Sequence, residues 1–363
     1  TERKTKMKQG ISLQKLAEEI IKQRERKKDY IVNTSNLRLE SSCGEVLLRV
    51  IDNNGQDCIE PLDIGINAHR QIAAHLSIPT KYYEKMQAED PELLSINVNS
   101  WFERSPASRM LRVLDGRARA FLSNRYKRLD HYQIAETVIP VIAQMEDVRF
   151  ESCEITEDRM YMKAVNPRVQ AEVSPGDIVQ AGVIISNSEV GLGSVSVQPL
   201  VYRLVCKNGM IVNEAATKRN HIGRVNSGDE NFQLYSAETL EADDHAFLLK
   251  VRDTVEAAIT EAKFSNVVGM MREAKEAQMN TADVPAIVKL TSKSFGITEN
   301  EQPGILQHLI EGKDLTLYGL SNAVTRYSQD VGNYDRATLL EGIGYEILTM
   351  PPKQWSMINQ MAA

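Results

Sequence analysis

The sequence predicts an α+β protein: a mixed, mainly antiparallel sheet body with an N-terminal helix and a helical C-terminal region. Two observations in the first 212 residues support this class. Residues 11–28 carry apolar side chains at helical spacing, and residues 148–212 contain Val- and Ile-rich runs broken by turn residues. A third observation is the change to long helical periodicities after Gly228. We therefore divide the chain into an α+β body, 1–227, and a helical region, 228–363.

Composition limits the class of protein. The chain has 363 residues, of which 42% are hydrophobic and 25% charged, as in ordinary globular proteins. It has no apolar run of the roughly 18–20 residues that span a bilayer. The charged N-terminal stretch lacks the apolar core of a signal peptide. We expect a cytoplasmic protein with no membrane partner.

The elements of the body follow from local patterns. Short strands are expected at 35–40 and 45–52, closed by the turn signal Asn54-Gly55, and two short helices are expected on either side of Pro79. Further on, the sequence predicts the following elements: a hairpin at 109–123, a helix at 131–145 kinked or broken at Pro140, and strands from Val148 to about Val212.

The C-terminal region is predicted to be helical throughout. Gly296 and Gly312 are placed as helix stops, and Thr298 as an N-cap. The predicted helices are 242–279, 283–294, 299–311, 316–331, 335–349 and 352–361.

Charge is unevenly distributed along the chain, although the formal net charge is −6. Residues 104–128 are strongly basic, with Asp115 their single acid, whereas 229–244 are acidic. A local anion-binding face is compatible with an acidic total. The basic residues could equally pair with the acidic segment or lie on a solvated face.

The hairpin carries the strongest functional signal. Arg117, Arg119 and Phe121 alternate with smaller residues, which predicts that all three share one face of a strand. Guanidinium groups bind phosphate, and aromatic rings stack on bases. The predicted nucleic-acid-binding residues are Arg112, Arg117, Arg119, Phe121, Arg125, Tyr126, Lys127 and Arg128, with a second set of Arg203, Lys218, Arg219 and Arg224.

The loop in ISNSEVGLGSVSV, residues 185–197, lies between two strand-like runs. Its two glycines lack the third of a dinucleotide fingerprint, and a strand rather than a helix follows. Asn187 and Glu189, with His221, are weak catalytic candidates, but such residues are also common in turns. If the loop is only a turn, we expect Glu189→Gln to leave the fold nearly intact and Gly191→Val to destabilise it.

No metal or cofactor is expected. The cysteines are scattered, the histidines form no HxH or HExxH pattern, and no GxSxG motif is present. His69, His75 and His131 are interpreted as structural. Asp130-His131 is either an acid/base pair or a helix N-terminus.

Three segments, 116–134, 174–212 and 315–348, resemble the domain of unknown function 932 family, with ISNSEVGLGS in the most specific one. The resemblance extends over about residues 60–350. It implies a phage-, plasmid- or prophage-associated protein of the bacterial cytoplasm, beside replication, recombination or defence-evasion functions. The order of a helix, a basic hairpin and further strands is also similar to that of single-strand annealing proteins.

These observations give a leading expectation and two alternatives. The first is a self-assembling homo-oligomer that binds or anneals single-stranded DNA in recombination, with phage or host recombination proteins as partners. The second is a metal-dependent nuclease or nucleotide hydrolase that uses Glu189, Asn187 and His221. The third is a non-enzymatic inhibitor of a host defence factor.

Overall fold

A computed structural model describes residues 10–42, 44–193, 195–213, 217–219, 237–258 and 261–362. The chain forms two mainly antiparallel sheets with helices packed on them, so the predicted α+β class is confirmed.

The first sheet has the strand order β1-β5-β6-β4-β3-β2. Its strands are β1 Lys27–Asn33, β2 Leu37–Ser42, β3 Glu45–Val50, β4 Leu62–Ile64, β5 Ser108–Leu114 and β6 Arg117–Ser123. One face packs on the helices α2 Ile66–His75, α3 Thr80–Glu89 and α4 Pro91–Arg104. The predicted break at Pro79 is confirmed, because Pro79 separates α2 from α3. The sequence analysis missed α4.

The N-terminal helix, α1, spans Leu13–Arg26 and buries Leu16 and Ile20. Ser12 caps it by accepting a hydrogen bond from the N–H of Lys15, at 3.2 Å. The predicted helix extends two residues too far, because Lys27 already begins β1. This early end directs the Lys27 side chain towards the interior of the protein.

The β5–β6 hairpin turns at Asp115 and Gly116, which both have positive φ, at 52° and 75°. A register shift follows: Arg112 pairs with Ala120 but Val113 with Ala118, leaving Arg119 as an extra residue. The bulge reverses the alternation of side chains between the two faces of the sheet after Arg119. The prediction that Phe121 shares the face of Arg117 and Arg119 is therefore wrong, because Phe121 packs on the helix side of the sheet.

The second sheet has the order β11-β10-β9-β8-β7, with β12 pairing with β10. Its strands are β7 Arg149–Ile155, β8 Met160–Glu172, β9 Ile178–Asn187, β10 Val195–Arg203, β11 Asn208–Ile211 and β12 Thr217–Arg219. Helix α5, His131–Gln144, precedes it and starts at the N-cap Asp130 in a capping box. The predicted break of α5 at Pro140 is not observed, since the helix continues through it.

The remaining helices are α6 Ala237–Ala258, α7 Glu261–Glu276, α8 Val284–Phe295, α9 Gln302–Gly312, α10 Leu317–Tyr327, α11 Tyr334–Leu348 and α12 Pro352–Met361. Gly296 ends α8 in the left-handed conformation, as predicted, with φ 66°. Thr298 is not the cap of α9; Glu301 is, and its carboxylate accepts from the N–H of Thr298.

Two hydrophobic cores connect the second sheet to helices from both ends of the chain. α1, α5 and α6 share a core with the second sheet, and the helices α7–α12 share another with residues such as Val179 and Val201 of the same sheet. The predicted boundary at residue 227 lies outside the described residues. The second sheet thus connects the N-terminal and C-terminal helices.

Candidate functional site

The loop between β9 and β10, residues 188–193, is anchored by side chains from distant parts of the chain. Each of four loop carbonyls accepts a side-chain hydrogen bond. The donors are Tyr126 to Ser188 (3.2 Å), Arg112 to Glu189 (3.1 Å), Gln71 to Val190 (2.7 Å) and Arg159 to Leu192. The loop of the second sheet is thereby fixed over the first sheet.

The sequence of the loop suits this packing. The Ser188 hydroxyl accepts from the backbone N–H groups of Val190 and Leu192, at 3.4 and 3.2 Å. Gly191 has φ 78°, and a Cβ there would lie 2.6 Å from Cδ2 of Leu122. Only glycine combines this conformation with so close an approach.

Glu189 is 3% exposed and is the centre of a charge cluster. Its Oε1 accepts from Lys27 Nζ at 3.0 Å and from the N–H of His131 at 2.8 Å, and its Oε2 lies 3.7 Å from Nη1 of Arg119. Burial acts to raise the pKa of Glu189, but His131, Lys27 and Arg112 outweigh it and hold the pKa well below its usual range. Glu189 is therefore an ionised counter-ion.

Arg112 extends the cluster and is 2% exposed. It binds both carboxylate oxygens of Asp29, at 3.0 and 3.2 Å, and Asp130 at 2.7 Å. Asp130 also pairs with Lys27 at 2.8 Å. Burial acts to lower the pKa of Arg112, but the surrounding carboxylates raise it above its ordinary value. We call the set Lys27, Asp29, Arg112, Arg119, Asp130 and Glu189 the charge network; its formal charges balance.

His131 and Asn187 lie against this network. The Asn187 Nδ2 donates to the carbonyl of Leu129 at 2.9 Å and lies 3.0 Å from Nδ1 of His131. Because a carbonyl only accepts, this end of Asn187 is its NH₂ group, and His131 Nδ1 accepts. Burial lowers the pKa of His131 to about 4, so its ring is neutral at pH 7.

The fold thus brings together two of the three predicted catalytic candidates, Asn187 and Glu189, whereas His221 lies outside the described residues. Instead, His131 lies beside them. A carboxylate with a lowered pKa is a weak base, and Glu189, Asn187 and His131 are each at most 3% exposed. This geometry favours a structural role for the loop.

The predicted phosphate-binding residues of the first set fall into two groups that differ in solvent exposure. Arg112 and Phe121 are buried, and Phe121 stacks on Phe102 with ring centroids 5.9 Å apart. The Arg119 side chain is 13% exposed and is held between Glu189 and the carbonyl of Glu157. Tyr126 is partly buried and bonds the loop. These four residues stabilise the interior rather than face solvent.

Of the remaining members of the first set, three arginines lie nearer the surface, whereas the Lys127 side chain is 15% exposed. Arg117 is 41% exposed and pairs with Glu157 at 2.9 Å. Arg125 is exposed, and the side chain of Arg128 is 59% exposed while contacting Asp29 at 3.4 Å. Lys127 pairs with Asp243 of the acidic segment at 3.3 Å.

The second predicted set is dispersed. Arg203 forms a two-pronged ion pair with Asp177, at 2.5 and 2.9 Å, and lies over the ring of Tyr318. Lys218 and Arg219 belong to β12, where their backbones pair with β10. Arg224 lies outside the described residues.

Sequence reasoning missed Lys27 and Gln71 as partners of the loop, and Asp29 as the partner of Arg112. No local signal marks them, because Lys27 is 162 residues and Gln71 is 119 residues from its loop partner. The Asp130-His131 pair was noted, and its helix N-terminus interpretation is confirmed by the capping box of α5.

The fold and the anchored loop define a two-sheet α+β protein whose β9–β10 loop fastens one sheet to the other. The model of the family described as Domain of unknown function (DUF932) matches residues 120–353, which include that loop, and the chain belongs to this family. Searches of curated proteins and of solved structures gave no match.

The described ranges contain neither a candidate membrane span nor a candidate metal site. None of the helices there has both the length and the apolar content needed to cross a bilayer. In the same ranges, no group of three or more His, Cys, Asp or Glu side chains is arranged to hold a metal ion.

Proposed function

We propose that this protein binds single-stranded nucleic acid through an exposed basic ridge, formed by Arg24, Arg125 and Arg128 with the ring of Tyr132. The observation that carries the proposal is the position of Arg128. Its guanidinium contacts Asp29 of the charge network, yet its side chain is 59% exposed. A phosphate can therefore reach an arginine that is already positioned.

The segment that presents the ridge, residues 124–130, is fixed on its inner side. The Tyr126 hydroxyl bonds the loop, Leu129 is fully buried and accepts from Asn187, and Asp130 caps α5. Arg125 and Arg128 project from this fixed segment. A rigid backbone lowers the entropy lost when charged side chains bind a ligand.

A stacked pair supports a single-stranded ligand. The Arg24 guanidinium lies over the Tyr132 ring, with Cζ 3.9 Å from the ring centroid. Arg24 is exposed. Unpaired bases stack on planar guanidinium groups and aromatic rings, whereas the bases of a duplex are not available for stacking.

The proposal reassigns the arginines named by the sequence. Arg112 and Arg119 are matched by the carboxylates of the charge network, so they act as internal cations. Since the network is formally neutral, the exposed arginines contribute the local positive charge. Binding then depends on Arg125 and Arg128 more than on the hairpin strands.

We also propose self-assembly through β1. At the opposite edge of the sheet, β2 is covered, because the Asn99 amide bonds both the N–H and the carbonyl of Leu39, each at 2.8 Å. Strand β1 is the other edge, Ile31 on it is 59% exposed, and within the described ranges no strand pairs with its outer side. Open edges promote strand pairing between chains.

Light scattering after size exclusion tests this assembly. We expect an oligomer that Ile31→Lys shifts towards the monomer, because a charge on an edge strand opposes pairing between chains. A monomer at micromolar concentration, with and without oligonucleotide, contradicts the assembly proposal.

Fluorescence anisotropy with labelled oligonucleotides tests nucleic-acid binding. We expect single strands to bind more tightly than duplexes of the same length, and Arg125→Ala/Arg128→Ala to weaken binding of every sequence alike. The matched control is Lys81→Ala/Lys85→Ala, which removes two exposed charges from α3. Equal affinity of parent and arginine variant, or cleavage of the oligonucleotide with Mg²⁺, argues against the proposal.

A further inference from the structure

A cleft of about 790 Å³ lies in the C-terminal helical region, far along the chain from the basic ridge. Helix α7 and the residues after it form one wall, and α12 forms another. Leu317, Leu348, Met350 and Trp355 contribute apolar surface. The volume is in the range of about 300–1,000 Å³ that is typical of small-molecule sites.

The walls of the cleft are held rigidly. Asn280 donates through its backbone N–H to Asn359 Oδ1 at 2.9 Å, and through its Nδ2 to the Asn359 carbonyl at 3.2 Å. The backbone of Met279 donates to Leu315, and that of Leu317 to Ala277, each at 2.9 Å. These bonds fix the turn after α7 against both α10 and α12, so the cleft is formed before any ligand binds.

The lining determines which ligand fits. Among the described residues, no Lys, Arg or His lines the cleft, and its one carboxylate is that of Glu273, which is exposed. The thioethers of Met270 and Met350 can adapt to an apolar body. Glu273 opposes an anion, and the lining has no cation to compensate. The remaining polar groups are neutral amides and hydroxyls such as Gln278 and Ser356.

Trp355 gives a second observation. Its side chain is 6% exposed, and its indole Nε1 has no hydrogen-bond partner among the described residues. A buried N–H without an acceptor costs stability. The tryptophan lines the cleft, so a ligand placed against it adds packing on a side that now lacks protein atoms.

We propose that this cleft binds an uncharged, predominantly apolar small molecule. Residues after 353, including Trp355, Ser356 and Asn359, lie beyond the part of the chain that the family model matches. The site is accordingly a property of this chain rather than of the matched region alone. This proposal does not rest on nucleic-acid binding.

The chain offers an internal reporter, because Trp101 and Trp355 are its two tryptophans. In Trp101→Phe, emission comes from Trp355 alone. Titration with the neutral probe N-phenyl-1-naphthylamine is expected to quench that emission and to saturate at one probe per chain. The sulfonated analogue 8-anilinonaphthalene-1-sulfonate is expected to bind at least about tenfold more weakly, because Glu273 repels it.

Variants at the mouth locate the probe. Ser356→Phe and Gln360→Phe place an aromatic ring in the cleft from exposed positions and should each weaken probe binding at least about tenfold. Ser294→Phe on α8 is the matched control and should bind as the parent does. Circular dichroism confirms that each variant is folded. Unsaturable binding, equal affinity for the two probes, or unchanged affinity in both folded mouth variants overturns the proposal.

Discussion

Glu189 has a different role from the one its local sequence indicates. A single carboxylate in a Ser-, Asn- and Gly-rich turn is typical of an exposed loop. The structure instead buries it, with Lys27 at 3.0 Å and Arg119 at 3.7 Å. The expectation that Glu189→Gln is nearly silent if the loop is a turn assumed an exposed side chain, and the burial of Glu189 removes that assumption.

Glu189→Gln is now expected to destabilise the fold by about 3–5 kcal/mol, because it removes the buried carboxylate and leaves the charge network with one uncompensated positive charge. Chemical denaturation measures this loss. The matched control is Glu157→Gln, which removes a carboxylate that is 64% exposed and pairs with Arg117. The control should cost less than about 1 kcal/mol. Equal midpoints for the two variants would show that the charge network is not a stabilising element.

His131 predicts a pH dependence. Its folded pKa, about 4, is below the ordinary value of 6.5, so the unfolded chain takes up the proton first as pH falls. Stability is fully present above about pH 6.5 and is lost towards pH 4, by up to about 3 kcal/mol. Glu189, whose pKa is also lowered, adds a further loss at more acidic pH.

Denaturation midpoints between pH 8 and pH 4 test this dependence. His131→Gln retains an acceptor for Asn187 but does not titrate, so the variant should lose less stability than the parent over this range. An equal loss of stability in the parent and in the variant would exclude His131 as a source of the pH dependence.

At the scale of elements, the conformation of the β9–β10 loop depends on Gly191. Gly191→Ala is expected to cost about 1–2 kcal/mol for the positive φ, with an added cost for the contact with Leu122. Gly176→Ala is the matched control, since Gly176 has φ 81° and open space around it. Thermal midpoints should fall further for Gly191→Ala. An equal fall would mean that Leu122 moves aside freely.

A buried ion pair connects strand β8 to helix α11. Lys163 and Glu341 are 3% and 1% exposed, and their charged atoms are 2.6 Å apart. Burial acts to lower the pKa of Lys163, but Glu341 and Tyr334 raise it overall. The raised pKa favours the charged form of Lys163, and the pair is buried between the second sheet and the C-terminal helices.

Removing one partner of this ion pair should cost more stability than removing both partners. Glu341→Leu and Lys163→Met are each expected to cost about 3–5 kcal/mol, whereas the double variant Lys163→Met/Glu341→Leu should recover most of that loss. A double-mutant cycle from urea midpoints measures the coupling energy. Additive losses would contradict a direct interaction between the two groups.

Elements with strong periodicity and clear caps could be predicted from the sequence. The helices 284–295, 334–348 and 352–361 were placed within one or two residues, because Gly296 and Pro351 punctuate them. Strand β1 was missed because its first residues, Lys27 and Lys28, continue the charged pattern of α1. The bulge at Arg119 was missed because a register shift depends on the partner strand.

The candidate site was harder to predict than the fold. The sequence identified the loop, the hairpin and the Asp130-His131 pair. It could not identify which arginines are buried, because burial of Arg112 depends on Asp29, which is 83 residues away. Local alternation gives the face of a strand, but only the tertiary packing decides what covers that face.

At the scale of the whole molecule, the second sheet organises the fold. It shares cores with helices from both ends of the chain, and its β9–β10 loop is bound to the first sheet. The charge network therefore lies at the junction of the two sheets. The basic ridge is attached to that junction through Arg128 and the segment before α5. We therefore expect nucleic-acid binding by the ridge to require a folded junction.

The most direct measurement is the salt dependence of single-stranded DNA binding. If Arg125 and Arg128 each neutralise a phosphate, their replacement by alanine should reduce the slope of log affinity against log salt by about 0.7 per contact. Lys81→Ala/Lys85→Ala should retain the parent slope. A folded Arg125→Ala/Arg128→Ala variant with the affinity and slope of the parent would contradict the assignment of the basic ridge as the nucleic-acid site.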